Sequence, residues 1–130
     1  MNNRIVWTTR YNIGIPKLDE QHLRLVGILV RLQESVSEGG GSCDMTCVQM
    51  ILDELSDYAS SHFRDEEKLM RSVDYPSFEE HVRAHRFFTD AVVEWKEKVN
   101  EKTPSELAVF LNEWLLEHIL REDIDIKNYL

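Results

Sequence analysis

Apolar side chains recur at alternating spacings of three and four residues over four long stretches of the chain, the period of an amphipathic helix. The first stretch, about 18–37, carries Leu18, Leu25, Leu29, Leu32 and Val36 on one stripe. Gly39-Gly40-Gly41 then breaks the pattern and predicts a loop. The second, about 44–71, carries Val48, Ile51, Leu52, Leu55, Tyr58, Ala59, Phe63, Leu69 and Met70. Asp74-Tyr75-Pro76 predicts a turn. The third, about 77–101, carries Phe88, Val92, Trp95 and Val99, and opens on Ser77 and Glu80, the spacing of a capping box. The fourth, about 104–122, carries Leu107, Leu111 and Trp114. It opens on Thr103-Pro104-Ser105-Glu106, which predicts a second capping box with proline at the first helical position. Residues 1–17 read as an extended N-terminal arm bearing Trp7, Ile13, Ile15 and Pro16. Short connections make neighbouring helices antiparallel. The expected fold is all-α: an up-down-up-down antiparallel four-helix bundle, one domain over 1–130.

Polar residues interrupt these stripes at a few positions, and every histidine of the chain is among them. His22 sits on the first stripe, His62 on the second with Glu66 one turn later, His81 and His85 on the third, and His118 on the fourth. In an up-down topology the starts of the first and third helices meet the finishes of the second and fourth. At about 1.5 Å of rise per residue, all five histidines then fall in one layer roughly 5–15 Å from that end. His62 and Glu66 share a helix face, as do His81 and His85. Asp123 follows His118 by five residues, which on an ideal helix turns it about 140° away. For both to reach one site, the fourth helix must carry a π-bulge or an unwound last turn between them.

A lone histidine on an apolar face is ordinarily a satisfied core residue. Seven polar groups in one layer are different. Unpaired, they carry a large desolvation penalty, and no Lys or Arg on the stripes compensates it. Imidazole with carboxylate suits iron, zinc, copper or nickel rather than calcium. Seven ligands exceed one tetrahedral zinc, so two metals with bridging carboxylates fit better. Two octahedral metals offer about twelve positions. Five histidines, two bridging carboxylates and one bridging oxygen leave one position for a small ligand. Leu25, Phe63, Trp114, Leu115 and Ile119 lie within a turn of the ligands. They read as core packing and as a dry pocket for a small neutral gas.

Composition narrows the partners. Of 130 residues, 42% are hydrophobic and 30% charged, the balance of a globular domain. The net charge of −9 argues against nucleic acid or an anionic membrane surface. No apolar run long enough to cross a membrane is present, and MNNRIVWTTR lacks the apolar core of a signal peptide, so a cytoplasmic location is expected. Cys43 and Cys47 are the only cysteines, and they read as reduced residues near a loop rather than a disulfide framework.

DEQH at 19–22, HFRDEEKLM at 62–70, HVRAH at 81–85 and WLLEHILRED at 114–123 together resemble the hemerythrins, and among them the single-domain bacterial proteins. The resemblance runs from about Trp7 onward and fills every position of the H…HxxxE…HxxxH…HxxxxD pattern. It implies a non-haem centre of two iron ions (Fe2+/Fe3+) with an oxo or hydroxo bridge, which binds O2 reversibly. Position by position, His81, His85 and His118 hold one iron, His22 and His62 the other, and Glu66 and Asp123 bridge. The iron on the His22/His62 side takes O2. Myohemerythrin, in the same family, is itself an up-down bundle.

An oxygen carrier, store or delivery protein is thus expected, a monomer or weak oligomer, with an oxygen-consuming enzyme as the natural recipient. The competing classes are a di-iron enzyme with peroxidase or nitric-oxide chemistry, an oxygen sensor acting through a separate signalling partner, and iron storage or detoxification. Ferritin-like di-iron oxidases use mostly carboxylates with two histidines. The histidine-rich set here disfavours high-valent states and favours binding over catalysis.

Overall fold

A computed structural model describes residues 12–37 and 44–130. Four long helices run through the described residues: α1 (Pro16–Ser37), α2 (Met45–Ser72), α3 (Phe78–Glu97) and α4 (Thr103–Trp114). The chain continues from α4 without a break through a π-helical segment, Leu115–Asp123, then α5 (Ile124–Ile126) and a final 3-10 turn, Lys127–Tyr129. No strand occurs among the described residues. α1 packs against α2 and α4, and α2 against α3, which is the four-helix bundle the periodicity predicts. No helix of the described residues is long and apolar enough to cross a membrane.

The helix ends differ from expectation in instructive ways. α1 begins at Pro16, whose fixed φ suits a first helical position. Gly14, at φ 93°, bends the chain into it; Trp7 and the rest of 1–11 lie outside the described residues. The Asp19 carboxylate reaches back to accept the N–H groups of Ile13 (2.7 Å) and Gly14 (3.3 Å), pinning Ile13 in the core. The Gly39–Gly41 loop also lies outside the described residues. Asp44 caps α2 by accepting from the Cys47 N–H at 2.9 Å. Cys47 is disulfide-bonded rather than a reduced thiol. Cys43, the only other cysteine in the sequence, lies outside the described residues.

α2 ends in a Schellman arrangement. The Tyr75 N–H bonds the Met70 carbonyl (3.0 Å) and the Asp74 N–H bonds the Arg71 carbonyl (3.2 Å), with Asp74 in the left-handed region at φ 50°. The accompanying apolar contact is a small buried cluster of Met70, Tyr75 and Ile126. Neither predicted capping box forms. Ser77 precedes α3 with ψ near 28° and makes no side-chain cap, because that backbone does not aim its hydroxyl at the first turn. Thr103 accepts the N–H of Asn100 behind it (2.9 Å) instead of capping ahead toward Glu106, and Asn100 accepts from the Lys102 N–H.

The main core joins all four helices through Leu25, Leu29 and Leu32 of α1, Val48, Leu52 and Leu55 of α2, Phe88 and Val92 of α3, and Leu107 and Leu111 of α4. Between this core and the Met70–Tyr75–Ile126 cluster lies a polar layer.

Candidate metal centre

That layer contains all seven residues singled out from the sequence. His22, His62, Glu66, His81, His85, His118 and Asp123 are buried, none more than 3% exposed. The five-residue spacing between His118 and Asp123 is accommodated by the π-helical segment, whose wider turn returns both side chains to one face.

The imidazoles converge through Nε2 on two carboxylates, and each carboxylate divides its oxygens. Glu66 Oε1 lies 2.8 Å from His81 and 2.9 Å from His85, and Asp123 Oδ1 lies 2.8 Å from His81 and 3.0 Å from His118. On the opposite side, Glu66 Oε2 lies 3.5 Å from both His22 and His62, and Asp123 Oδ2 lies 3.0 Å from His22. Two ligand groups result, each with its donor atoms within 4.8 Å of one another. His81, His85 and His118 form one with both carboxylates; His22 and His62 form the other with the same two carboxylates.

Three histidines are oriented from behind. His62 Nδ1 meets Gln21 Oε1 at 2.7 Å, and the Gln21 amide is itself fixed because its Nε2 donates to Asp65 (2.9 Å). His85 Nδ1 meets Glu67 (2.9 Å), and His118 Nδ1 meets Glu122 (3.0 Å). Oxygens that can only accept require the proton on Nδ1, which leaves Nε2 as the atom that faces the carboxylates and would bind a metal, as metal-binding histidines are usually held. Asp65 and Glu122 are accordingly drawn below their ordinary carboxyl values, chiefly by the bonds from Gln21 and His118. Sequence pattern alone missed Gln21, Asp65 and Glu67, because each lies off the apolar stripe.

His81 and His85 meet Glu66 Oε1 through Nε2 at hydrogen-bond distance, but other inward atoms find no hydrogen bond of good geometry. His62 Nε2, His118 Nε2, Glu66 Oε2 and both oxygens of Asp123 are buried and make no hydrogen bond. Orphaned donors and acceptors are rare in folded interiors. Lone pairs of this kind converging at close range are what a cation needs, so the residues fit a metal site.

A family model described as the hemerythrin HHE cation binding domain matches residues 13–130. The chain belongs to the hemerythrin family. It is similar to a bacteriohemerythrin of Stenotrophomonas maltophilia, 35% identical over 92% of this chain and 76% of that protein. A bacteriohemerythrin of Clostridium acetobutylicum is 29% identical over 91% of this chain and 95% of its own length. A myohemerythrin of Theromyzon tessulatum is 29% identical over 95% and 92%.

The apolar residues expected around a hemerythrin ligand, Leu25, Phe63, Trp114, Leu115 and Ile119, are all buried in the main core. The two aromatics cover the three-histidine group most closely. Phe63 stacks on His85 at 3.9 Å with the rings 6° from parallel, and Trp114 stacks on His118 at 4.2 Å. Phe63 also reaches the other group, 5.7 Å from His62.

Electrostatics set a clear pH dependence for the metal-free protein. Burial disfavours the imidazolium of His22, His81 and His118, but Asp123 and Glu66 outweigh it and lift them to about 9, 10 and 9. These histidines hold protons more tightly folded than unfolded. Their contribution is therefore complete below about pH 6.5, the unfolded value, and is lost as pH rises through about 9 to 10. His62 runs the opposite way. Burial lowers it to about 4 against the pull of Glu66, so its contribution is lost as pH falls from about 6.5 toward 4. Below that, Glu66 and Asp123 add to the loss. Burial pushes both up, and the charge of Asp123 pushes Glu66 up further, but the histidines hold both well below ordinary carboxyl values. With chelator present, thermal unfolding should show Tm greatest near pH 6.5 and falling toward pH 10. A flat or rising Tm over that alkaline range would contradict the arrangement.

Proposed function

We propose that this protein binds O2 reversibly at a centre of two iron ions, as an oxygen carrier, store or delivery protein. The observation that carries the reading is the division of each carboxylate between two unequal histidine sets. Glu66 and Asp123 present one oxygen to the three-histidine group and the other to the two-histidine group. His81, His85 and His118 would hold the first iron, and His22 and His62 the second, with an oxo or hydroxo bridge completing the pair. The His22/His62 group offers one imidazole fewer than the other, so an exogenous ligand would bind on that side. An iron pair held there would supply the two-electron redox chemistry that reversible O2 binding needs.

The chain's own residues keep that exchange reversible. Neutral imidazoles outnumber carboxylates, which favours the lower iron oxidation states. Gln21, Glu67 and Glu122 lock three imidazoles in place. Phe63, Trp114, Leu115 and Ile119 remain fully or nearly fully shielded from water, which limits proton delivery to the site. Among the enzyme alternatives, oxidation chemistry would call for a carboxylate-rich donor set.

The test is to load the protein with ferrous iron anaerobically and cycle it between air and argon. Two irons per chain and an absorption band that appears in air and disappears under argon over repeated cycles are expected. Irreversible bleaching in the first cycle would assign the centre to turnover instead, and failure to take up iron would overturn the reading.

A further inference from the structure

Among the described residues Tyr58 is the one tyrosine of the main core, and nothing in the proposed iron coordination uses it. It lies on α2 one turn before His62 and is 2% exposed. Its hydroxyl is buried and makes no hydrogen bond. A tyrosine buried in a core ordinarily finds a partner for its O–H, since an unpaired one is destabilising. Phenylalanine would fill the same volume without that cost, so the orphan hydroxyl calls for a partner that the polypeptide does not supply.

Its surroundings show where that partner binds. The ring stacks on His62, centroids 5.1 Å apart and 16° from parallel, while Phe63 meets it edge-on at 6.2 Å. His62 belongs to the two-histidine group, and the His22 ring meets it edge-on at 4.7 Å. Asp123 and Glu66 are near enough for their charge to raise the phenol further above its ordinary value, after burial itself. The ring is thus stacked on a ligand of the half of the centre with the smaller histidine set, and it carries a donor that no protein group engages. Leu25, Leu115 and Ile119, buried in the same core, are hydrocarbon and offer a ligand no hydrogen bond.

We propose that the Tyr58 hydroxyl is the hydrogen-bond donor for the exogenous ligand at the His22/His62 half, favouring small linear or diatomic ligands that carry negative charge. This rests on the di-iron reading above and adds to it the residue that selects among ligands. A donor fixed in an apolar pocket strengthens binding of an anionic ligand relative to a neutral one of the same size, because charged acceptors form the stronger hydrogen bonds. The α2 turn that carries Tyr58 also carries His62, so donor and metal ligand are held in register by the same backbone.

Azide is the probe, used on the iron-loaded ferric protein with the Tyr58→Phe variant for comparison. Iron content is measured first on both. The variant should bind azide about tenfold more weakly, the effect of one lost hydrogen bond. In the wild type the stretching frequency of bound azide should shift when water is replaced by D2O, and in the variant that shift should vanish. The metal-free variant should unfold at the same temperature as wild type or higher, since the change removes only an unpaired group. An unchanged azide affinity in fully loaded protein would overturn this assignment while leaving the iron centre standing. Weaker azide binding accompanied by a fall of more than about 5 °C in metal-free Tm would overturn it too, by assigning the hydroxyl to folding. A wild-type chain that takes up no iron would overturn both readings together.

Discussion

Replacing His118 by alanine is expected to lower bound iron well below two per chain. His118 is the only histidine on the π-helical segment, and its Nε2 lies 3.0 Å from Asp123 Oδ1. The substitution removes one of three imidazoles from that ligand group, and with it the neighbour that helps aim Asp123 at both groups. Loss of a residue that merely orients a ligand typically costs 10- to 100-fold in metal affinity, so loss of a ligand itself should cost at least about that much. The bridging role of Asp123 means the two-histidine iron should suffer as well. Metal analysis after gel filtration checks this, with far-ultraviolet circular dichroism to verify that helix content is retained. Full retention of iron by a folded variant would contradict the assignment.

The second large effect is expected from Phe63→Ala. Phe63 is 5% exposed and sits where the apolar core meets the polar layer. Its ring lies flat on His85 at 3.9 Å, edge-on to Phe88 at 5.6 Å, and 5.9 Å from Trp114. Truncating such a side chain to alanine costs about 3–5 kcal/mol, from lost burial and the cavity left behind. For a chain of this size that corresponds to a fall in Tm of roughly 10–20 °C. The metal-free protein should show it in a thermal melt, because the loss is one of packing. A fall smaller than about 3 °C would mean that neighbouring aromatics close over the gap, and the flat stack on His85 would then not be what braces that imidazole.

Much of this was legible in the chain, and the rest was not for definite reasons. Helix periodicity depends on burial alone, so the four stretches and their inward positions read directly from spacing. The π-helical segment was also legible, because a five-residue gap between two inward residues contradicts α geometry and leaves few ways out. Helix starts were less so. Ser77 and Thr103 carry the residue types of a cap, but whether a hydroxyl caps depends on its own backbone angles. At Thr103 a competing acceptor role toward Asn100 prevails. Asp19 caps backward, onto Ile13 and Gly14, through a bend that no local pattern announces. The groups behind the histidines are the clearest omission. Gln21 and Glu67 neighbour ligand residues in sequence, and so point off the stripe by about 100°. Only tertiary packing shows that they curl back to an imidazole nitrogen. Cys47 read as a free thiol because two cysteines four apart on a helix start are weak evidence for pairing; the structure has it oxidised.

The nine residues Leu115–Asp123 also set how the protein can be altered. Point replacements on their outer side leave the phase of the chain intact. Dropping a single amino acid between His118 and Asp123 does not, because everything downstream rotates by one step, including Ile126, which plugs the end against Met70 and Tyr75. The same reasoning governs transplantation. A designer copying these seven side chains onto a regular bundle could seat His118 or Asp123 but not both. The irregularity has to be grafted along with the chemistry.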